Sequence, residues 1–206
     1  QEYLEVITTK SDYMKHLLED LMMYTLLESP SYELELVSVD GDEFFEMLLS
    51  DYEQINKEKG FTTNIALHVN SSYLINPKQL MRVVDNLIAN AWAYTPPGGE
   101  VNIGAFEVPY IPTWCHAVMQ VAKNEQAGVY IIVQNSGGGL SKEQCQRMFE
   151  PLYQIDQSRS NVGQRGAGLG LSIARQIIEK HHGTIQAVST NNHTAIICWL
   201  PKENEK

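Results

Sequence analysis

The chain has 206 residues, 43% of them apolar, which is enough for one large domain or two small ones around a real core and too many for a disordered tail. Fifteen Lys and Arg stand against 25 Asp and Glu, a formal charge of −10, which argues against a general nucleic-acid binder because phosphate backbones reward positive surface. Three scattered cysteines without a CxxC (Cys115, Cys145, Cys198) exclude a disulfide scaffold and a standard zinc site and suit a reducing compartment, and no apolar run approaches the ~20 residues of a membrane helix.

Residues 1–28 read as one helix. Leu4, Ile7, Ser11, Met14, Leu18, Leu21 and Thr25 fall at heptad spacing, a mostly apolar stripe that packs on another helix, in this chain or a partner. Ser29-Pro30 ends it. Tyr32 to Leu36 alternates apolar and charged residues and predicts a half-buried strand. Asp40 or Asp42 caps a helix carrying Phe44, Phe45, Leu48, Leu49, Tyr52 and Ile55, which Gly60 stops. Thr62 to Val69 is a strand candidate. Asn76-Pro77 opens a helix to about Tyr94. Val101 to Glu107 and Val129 to Gln134 predict paired strands. The intervening Pro109 to Gln126 is too long for a hairpin loop, and its Tyr110 and Trp114 read as packing residues. Ser141 caps a helix through Phe149, a polar segment runs from Glu150 to Arg165, and a glycine-rich entry leads into the helix Leu169–His181. Two strands, Thr184–Ser189 and Thr194–Leu200, finish the chain. The expected architecture is α+β: a two-layer α/β sandwich, helices on one face of a mixed sheet, with an N-terminal helix.

Three segments carry chemistry. Asn86 and Asn90 stand one helical turn apart, on the face opposite Leu80, Val83, Val84, Leu87, Ile88 and Ala91. Amide oxygens are hard ligands suited to Mg²⁺, although an isolated NxxxN is more often a pair of exposed polar residues. Asn135-Ser136-Gly137-Gly138-Gly139 follows a strand. Its glycines admit positive φ and a close ligand, and Asn135 can meet a nucleobase edge; an ordinary turn has the same pattern. Gly166-Ala167-Gly168-Leu169-Gly170 opens a helix whose free N–H groups and dipole favour an anion. It is not a P-loop, because no Gly-Lys-Ser/Thr follows, and not a Rossmann fingerprint, because no strand immediately precedes it.

Taken together, these segments resemble the sensor histidine kinases. NLIANAWAYTPPGG resembles their N box, NSGGGL with MFEPLYQIDQSRS their G1 and F boxes, and GAGLGLSIARQIIEKHHGTI their G2 box, in the family's order over residues 31–200. The resemblance implies the Bergerat ATP-binding fold, shared with DNA gyrase, the heat-shock chaperone ATPases and MutL. It divides the chain into residues 1–30, part of the dimerisation and phosphotransfer hairpin, and an ATP-binding catalytic domain at 31–206. It implies ATP and Mg²⁺, with Asn86 and Asn90 on metal and phosphate and Tyr94 against adenine. Asn135 meets the adenine amino group, with Gly137 and Gly139 shaping the pocket. It implies that Glu150 to Arg165 is a mobile ATP lid from which Arg159 or Arg165 reaches the phosphates, and that Gly166, Gly168, Leu169 and Gly170 cradle the phosphate tail. It implies histidine phosphorylation, then transfer to a response-regulator aspartate.

Three departures stand out: Asn135 for the usual Asp, Ala93 for a Lys or Arg, and Gln154 for an Arg. Each removes a charged contact: Asn135 is expected to weaken adenine recognition without abolishing it, and the losses together imply modest nucleotide affinity or a partner that supplies the missing charge. They motivate the alternative of a degenerate, non-catalytic interaction module; a stand-alone ATPase or serine kinase of the same fold is a further one. No histidine stands in the family's acceptor context. His16 reads as a surface residue, and His181-His182 as positive character at a helix end. The chain starts with Gln and is expected to be a piece of something longer: a cytoplasmic part of an inner- or plasma-membrane protein that is a homodimer in full. No contact with membrane or nucleic acid is expected from these residues.

Overall fold

The computed structural model describes residues 2–122, 126–155, 168–190 and 192–202. Helix α1 (Glu2–Glu28) ends before Pro30 as expected. Its heptad positions Leu4, Ile7, Met14 and Leu18 are 68, 64, 62 and 58% exposed. A different stripe, Leu17, Met23, Tyr24 and Leu27, packs on the core. Arg82 donates to Asp20 at 2.6 Å, and Lys180 donates to the Ser29 and Tyr32 carbonyls. The helix therefore lies on its own domain by one face and leaves the heptad face uncovered.

Residues 32–36 do not form the expected strand. Their burial alternates, but the segment is held by the Lys180 bonds and by Asn76 Nδ2 donating to the Glu35 carbonyl, not by a ladder. Alternation reports burial, not pairing. Strand β1 (Val37–Asp40) begins just after and pairs antiparallel with β3 (Ser72–Ile75), four residues between turn-forming neighbours that sequence reading missed. Asp40, not Asp42, caps α2 (Gly41–Leu49), accepting from Glu43 N at 3.1 Å. The single expected helix breaks at Ser50-Asp51 and resumes as α3 (Tyr52–Glu58). There the Ser50 hydroxyl turns back onto the Met47 carbonyl, the kind of local bond that competes with a helix. Gly60, at φ +81°, stops it.

The main sheet has five strands in the order β2-β4-β5-β7-β6: β2 (Ile65–His68), β4 (Val101–Glu107), β5 (Gly128–Ser136), β7 (His193–Pro201) and β6 (Thr184–Ser189). Only β2–β4 is parallel, so the sheet is mixed. β2 is shorter than the 62–69 expected; Thr62 makes only an isolated bridge to Glu100. One face receives α4 (Pro77–Tyr94) and α7 (Gly170–Lys180). Asn76 caps α4 by accepting from Gln79 N at 3.0 Å, and Pro77 sits at the first helical position, so the entry forms as expected. Leu80, Val83, Val84, Leu87 and Ile88 of α4 meet Ile173, Ala174, Ile177 and Ile178 of α7 and the inward side chains of the strands.

The two-layer sandwich is thus as expected, with one local addition. Residues 109–122 supply a 3₁₀ turn (Thr113–Cys115) and α5 (His116–Ala122) over the far face of the sheet. Cys115, Val118 and Met119 close over Phe106, Tyr130, Ile132, Ile197 and Trp199. This is why β4, β5 and β7 read as continuous apolar runs: both faces are covered. Trp114 packs at this second cluster, and Tyr110 lies against His68 with ring centroids 4.5 Å apart and planes tilted by 33°. Burial pushes the Cys115 thiol up to about 12, which leaves it inert. No helix among the described residues is long and apolar enough to cross a membrane.

The end of α7 corrects one expectation. His181 is not a cation serving the helix dipole. Its ring is buried; Nδ1–H donates to the Ile177 carbonyl at 2.7 Å, and Nε2 accepts from the Asn76 N–H at 2.9 Å. Desolvation, helped by His182, holds its pKa below the ordinary value. The unfolded chain binds this proton near about 6.5, so the contribution of neutral His181 is complete above that pH. It is lost as pH falls from there toward the folded value. Urea midpoints at pH 7.5 and 5.5 will show a loss on acidification that is shallower in His181→Gln; equal slopes would contradict the assignment. The next residue, His182, sits at φ +60°, a region that costs an L-residue about 1 kcal/mol. His182→Gly is expected to stabilise by roughly 0.5–1 kcal/mol, a rise of about 2–4 °C per kcal/mol in a thermal melt.

Candidate functional site

A cleft of about 520 Å³ opens beside the C-terminal half of α4. Its walls come from five segments of the chain. Helix α4 gives Asn90, Ala93 and Tyr94, and the following loop gives Thr95, Pro96 and Pro97. The end of β5 gives Asn135, Gly137 and Gly138. Leu140, Met148, Tyr153 and Ile155 come from around α6 (Lys142–Arg147), and Leu171 and Thr194 complete the wall from α7 and β7. Of the residues expected from sequence, Asn90, Tyr94, Asn135 and Gly137 thus share one cavity.

The α4 pair is placed by the apolar face opposite it, where Leu87, Ile88 and Ala91 are buried in the core. Asn90 lines the cleft. Asn86 lies one turn earlier, off the cleft wall and against the start of α7: a Cβ on Gly170 would stand 3.1 Å from Asn86 Oδ1. Gly170 therefore leaves room for the Asn86 amide. Asn86 Nδ2 is buried and has no acceptor among the described residues. An unsatisfied buried donor costs about 1–3 kcal/mol, which a phosphate oxygen reaching this spot would relieve.

At the β5 end, Asn135 is only 6% exposed and donates Nδ2 to the Ser136 carbonyl at 2.8 Å. The register places Thr194 directly across from it, and Thr194 Oγ1 donates to the Gly137 carbonyl at 3.0 Å. Gly137 has φ +101°, and a Cβ there would meet the Tyr94 carbonyl at 3.2 Å, so the turn and the α4 terminus close up because this residue has no side chain. Gly139, at φ +85°, is not on the cleft wall; its N–H is held by the Thr190 carbonyl at 2.8 Å.

At the α7 start, Leu169 is a core residue, 2% exposed, and gives the helix no side-chain cap. No side chain among the described residues caps the first-turn N–H groups of α7, which suits an anion site. Gly168, at φ +76°, packs against Leu152, whose N–H it accepts at 2.9 Å. Its lack of a side chain thus serves the packing of the segment after α6. Arg159, Arg165 and Gly166 lie outside the described residues.

Among the described wall residues there is no Lys or Arg, and Ala93 faces the cleft where a cation was expected to be missing. Arg147 stacks over Tyr153 at 4.5 Å from the ring centroid and bonds Glu150, which steadies the α6 wall from behind. Leu140, Met148, Tyr153, Leu171 and Thr194 were not singled out from sequence. Thr194 was findable as the polar start of the strand expected to finish beside Asn135; the apolar ones look like any core residue.

The residues present fit a magnesium nucleotide. The cleft offers flat apolar walls beside an amide acceptor, and next to it stand an orphaned amide donor and an uncapped helix start. Residues 75–204 match the family described as "Histidine kinase-, DNA gyrase B-, and HSP90-like ATPase". The sensor histidine kinase WalK of Bacillus subtilis (strain 168) is 26% identical over 211 residues, covering 99% of this chain and 31% of that protein. Among solved structures, full-length ShkA in complex with AMPPNP superposes with a TM-score of 0.76 at 20% identity, covering 99% of this chain and 39% of that one. The histidine kinase ThkA, solved with the response regulator TrrA, gives 0.66 at 20% identity, covering 98% and 51%. These two likenesses are of fold. The chain spans 31% of the length of WalK. With the match covering most of the chain and the cleft assembled from the segments that carry it, this protein belongs to the family of histidine kinase-, DNA gyrase B- and HSP90-like ATPases.

Proposed function

We propose that this chain is the ATP-binding catalytic region of a sensor histidine kinase. It transfers the γ-phosphoryl group of ATP to a histidine imidazole, from which the group passes to a response-regulator aspartate. The observation that carries this reading is the convergence of Asn90, Tyr94, Asn135 and Gly137 on one cleft, with Asn86 and the α7 start beside it.

In this reading adenine lies among Tyr94, Pro96, Met148 and Leu171, with Asn135 at its edge. The α7 N–H groups and Asn86 Nδ2 take phosphate oxygens, and Asn90 and Asn86 Oδ1 are the metal ligands. Magnesium, when bound with the nucleotide, offsets part of the triphosphate charge as the γ-phosphoryl moves. The protein's own part is positioning: it holds the triphosphate so that the terminal P–O bond breaks in line with the P–N bond that forms. Residues 1–30 serve as the second helix of a dimerisation hairpin, whose uncovered heptad face meets partner helices in a homodimer. The parent protein is membrane-anchored, with this region in the cytoplasm. The resemblance, the likeness to the sensor histidine kinase WalK and the likeness to ThkA bound to the response regulator TrrA support the kinase and response-regulator parts of this reading.

The test is to supply a hairpin bearing an acceptor histidine together with ATP and Mg²⁺, and to read the phosphate formed on it. Acid-labile, base-stable phosphate is expected; acid-stable phosphate would indicate a serine kinase. A second reading, a non-catalytic module, draws on the cleft wall, which carries no cation among its described residues. It would be favoured if calorimetry with AMPPNP and Mg²⁺ gave no binding.

A further inference from the structure

We infer that Arg147 is a positioning residue for the nucleotide: it clamps a strained turn, Glu150-Pro151-Leu152-Tyr153, that holds Tyr153 on the cleft wall and joins that wall to the start of α7. The inference rests on the nucleotide reading of the cleft and concerns what keeps one wall in place.

The turn follows α6 closely. The Tyr153 N–H donates to the Glu150 carbonyl at 3.3 Å across Pro151 and Leu152. Proline at the second place and a positive φ at the third are the marks of a type II turn, whose third place favours glycine. Here that place is held by Leu152, at φ +64°, where the Cβ of an L-residue is crowded by the following carbonyl. Burial of its own side chain does not offset the strain, because Leu152 is 66% exposed. Its neighbours must therefore hold the turn.

Contacts on two sides do so. On one side, the Leu152 N–H donates to the Gly168 carbonyl at 2.9 Å, two residues before Gly170 opens α7. On the other, Arg147 spans the turn from end to end. Its Nε donates to Glu150 Oε2 at 3.3 Å, at the first residue, and its guanidinium lies over the ring of Tyr153, the fourth, 4.5 Å from the centroid. Glu143 pairs with the same guanidinium at 3.5 Å and orients it from α6. An exposed ion pair alone contributes little, but this guanidinium is held by two carboxylates and also covers a ring face. Tyr153 lines the cleft and Arg147 does not, so Arg147 acts on the nucleotide through the ring it supports. Without it the clamp across the turn is lost, and Leu152 can relax out of the left-handed region. Tyr153 then leaves its place in the wall, and the Gly168 carbonyl loses its partner.

This arrangement makes the defect repairable at a second residue. Glycine adopts the third place of the turn without strain and needs no clamp there. Leu152→Gly is therefore expected to rescue a chain that lacks Arg147. If Arg147 served instead as a distant positive charge for the phosphates, glycine at 152 would restore nothing.

The test is calorimetric titration with Mg·ADP of the wild type, Arg147→Ala and the double variant Arg147→Ala, Leu152→Gly. Arg147→Ala is expected to bind about threefold to tenfold more weakly than wild type, and the double variant to recover most of that loss. Both positions are exposed, so all three proteins are expected to melt at similar temperatures, which a thermal scan checks. Unchanged affinity in Arg147→Ala, or a double variant no better than Arg147→Ala, would overturn the inference and leave the cleft a nucleotide site. Failure of the wild type to bind Mg·ADP would overturn the nucleotide reading and the inference with it.

Discussion

On the proposed role of Asn90 in the metal site, Asn90→Ala is expected to lower the affinity of the chain for Mg·AMPPNP by roughly 10–100-fold or more, since losing even an outer-shell partner of a metal site costs about that much, while leaving its melting temperature nearly unchanged. The second half follows from position. Asn90 is a half-buried residue on the cleft side of α4, whereas the helix is held by Leu87, Ile88 and Ala91 on the other side. Alanine also has the higher helix propensity, so the fold loses nothing. The first half follows from chemistry. In the proposed reading the Asn90 amide oxygen would act through the metal, so the difference between wild type and variant is expected to shrink when the titration is repeated in EDTA. A deficit that persists without magnesium would mean that Asn90 contacts the nucleotide directly.

Gly137→Ala is the second large effect and acts on both fold and ligand. At φ +101° the backbone lies outside what an L-residue adopts without strain, and the new Cβ would meet the Tyr94 carbonyl at 3.2 Å. Strain of this kind costs about 1–3 kcal/mol. Relief requires the β5 turn and the end of α4 to separate, which moves Asn135 and Tyr94 apart across the cleft. The expected result is a loss of about 2 kcal/mol of stability and at least a tenfold loss of nucleotide affinity. Gly139→Ala is the control. Its φ is also positive, at +85°, but a Cβ there meets nothing within 4 Å, and the residue is off the cleft wall. It should show the torsional cost without the loss of affinity. Equal affinity losses in the two variants would show that the close approach at Tyr94 does not matter.

The α4 entry, the β4–β5 pairing and the closing hairpin were legible from sequence because each has a local cause: a cap with proline behind it, strongly apolar runs, a short turn. The strand placed at 32–36 was misread because its alternating burial comes from contacts with Lys180 and Asn76, which lie far along the chain. The break at Ser50 was invisible because both helices keep one apolar face. Residues 109–126 showed their length but not their role, since nothing local says that a short helix will cover the second face of a sheet. At the site, polar residues in patterned spacing were findable. The apolar wall of Met148, Tyr153 and Leu171 was not, because burial against a ligand and burial against the core demand the same side chains. His181 was misjudged because its partner, the Asn76 N–H, is 105 residues away.

The most direct test of a single magnesium–nucleotide cleft is a titration followed by nuclear magnetic resonance. Mg·AMPPNP is added to the ¹⁵N-labelled chain while the side-chain amides of Asn86, Asn90 and Asn135 and the backbone amides of Gly137 and Gly170 are monitored. All five are expected to shift along one saturating curve with a common midpoint. Separate midpoints, or shifts at Asn135 and Gly137 without any at Asn86 and Gly170, would show that base and phosphate regions do not belong to one site.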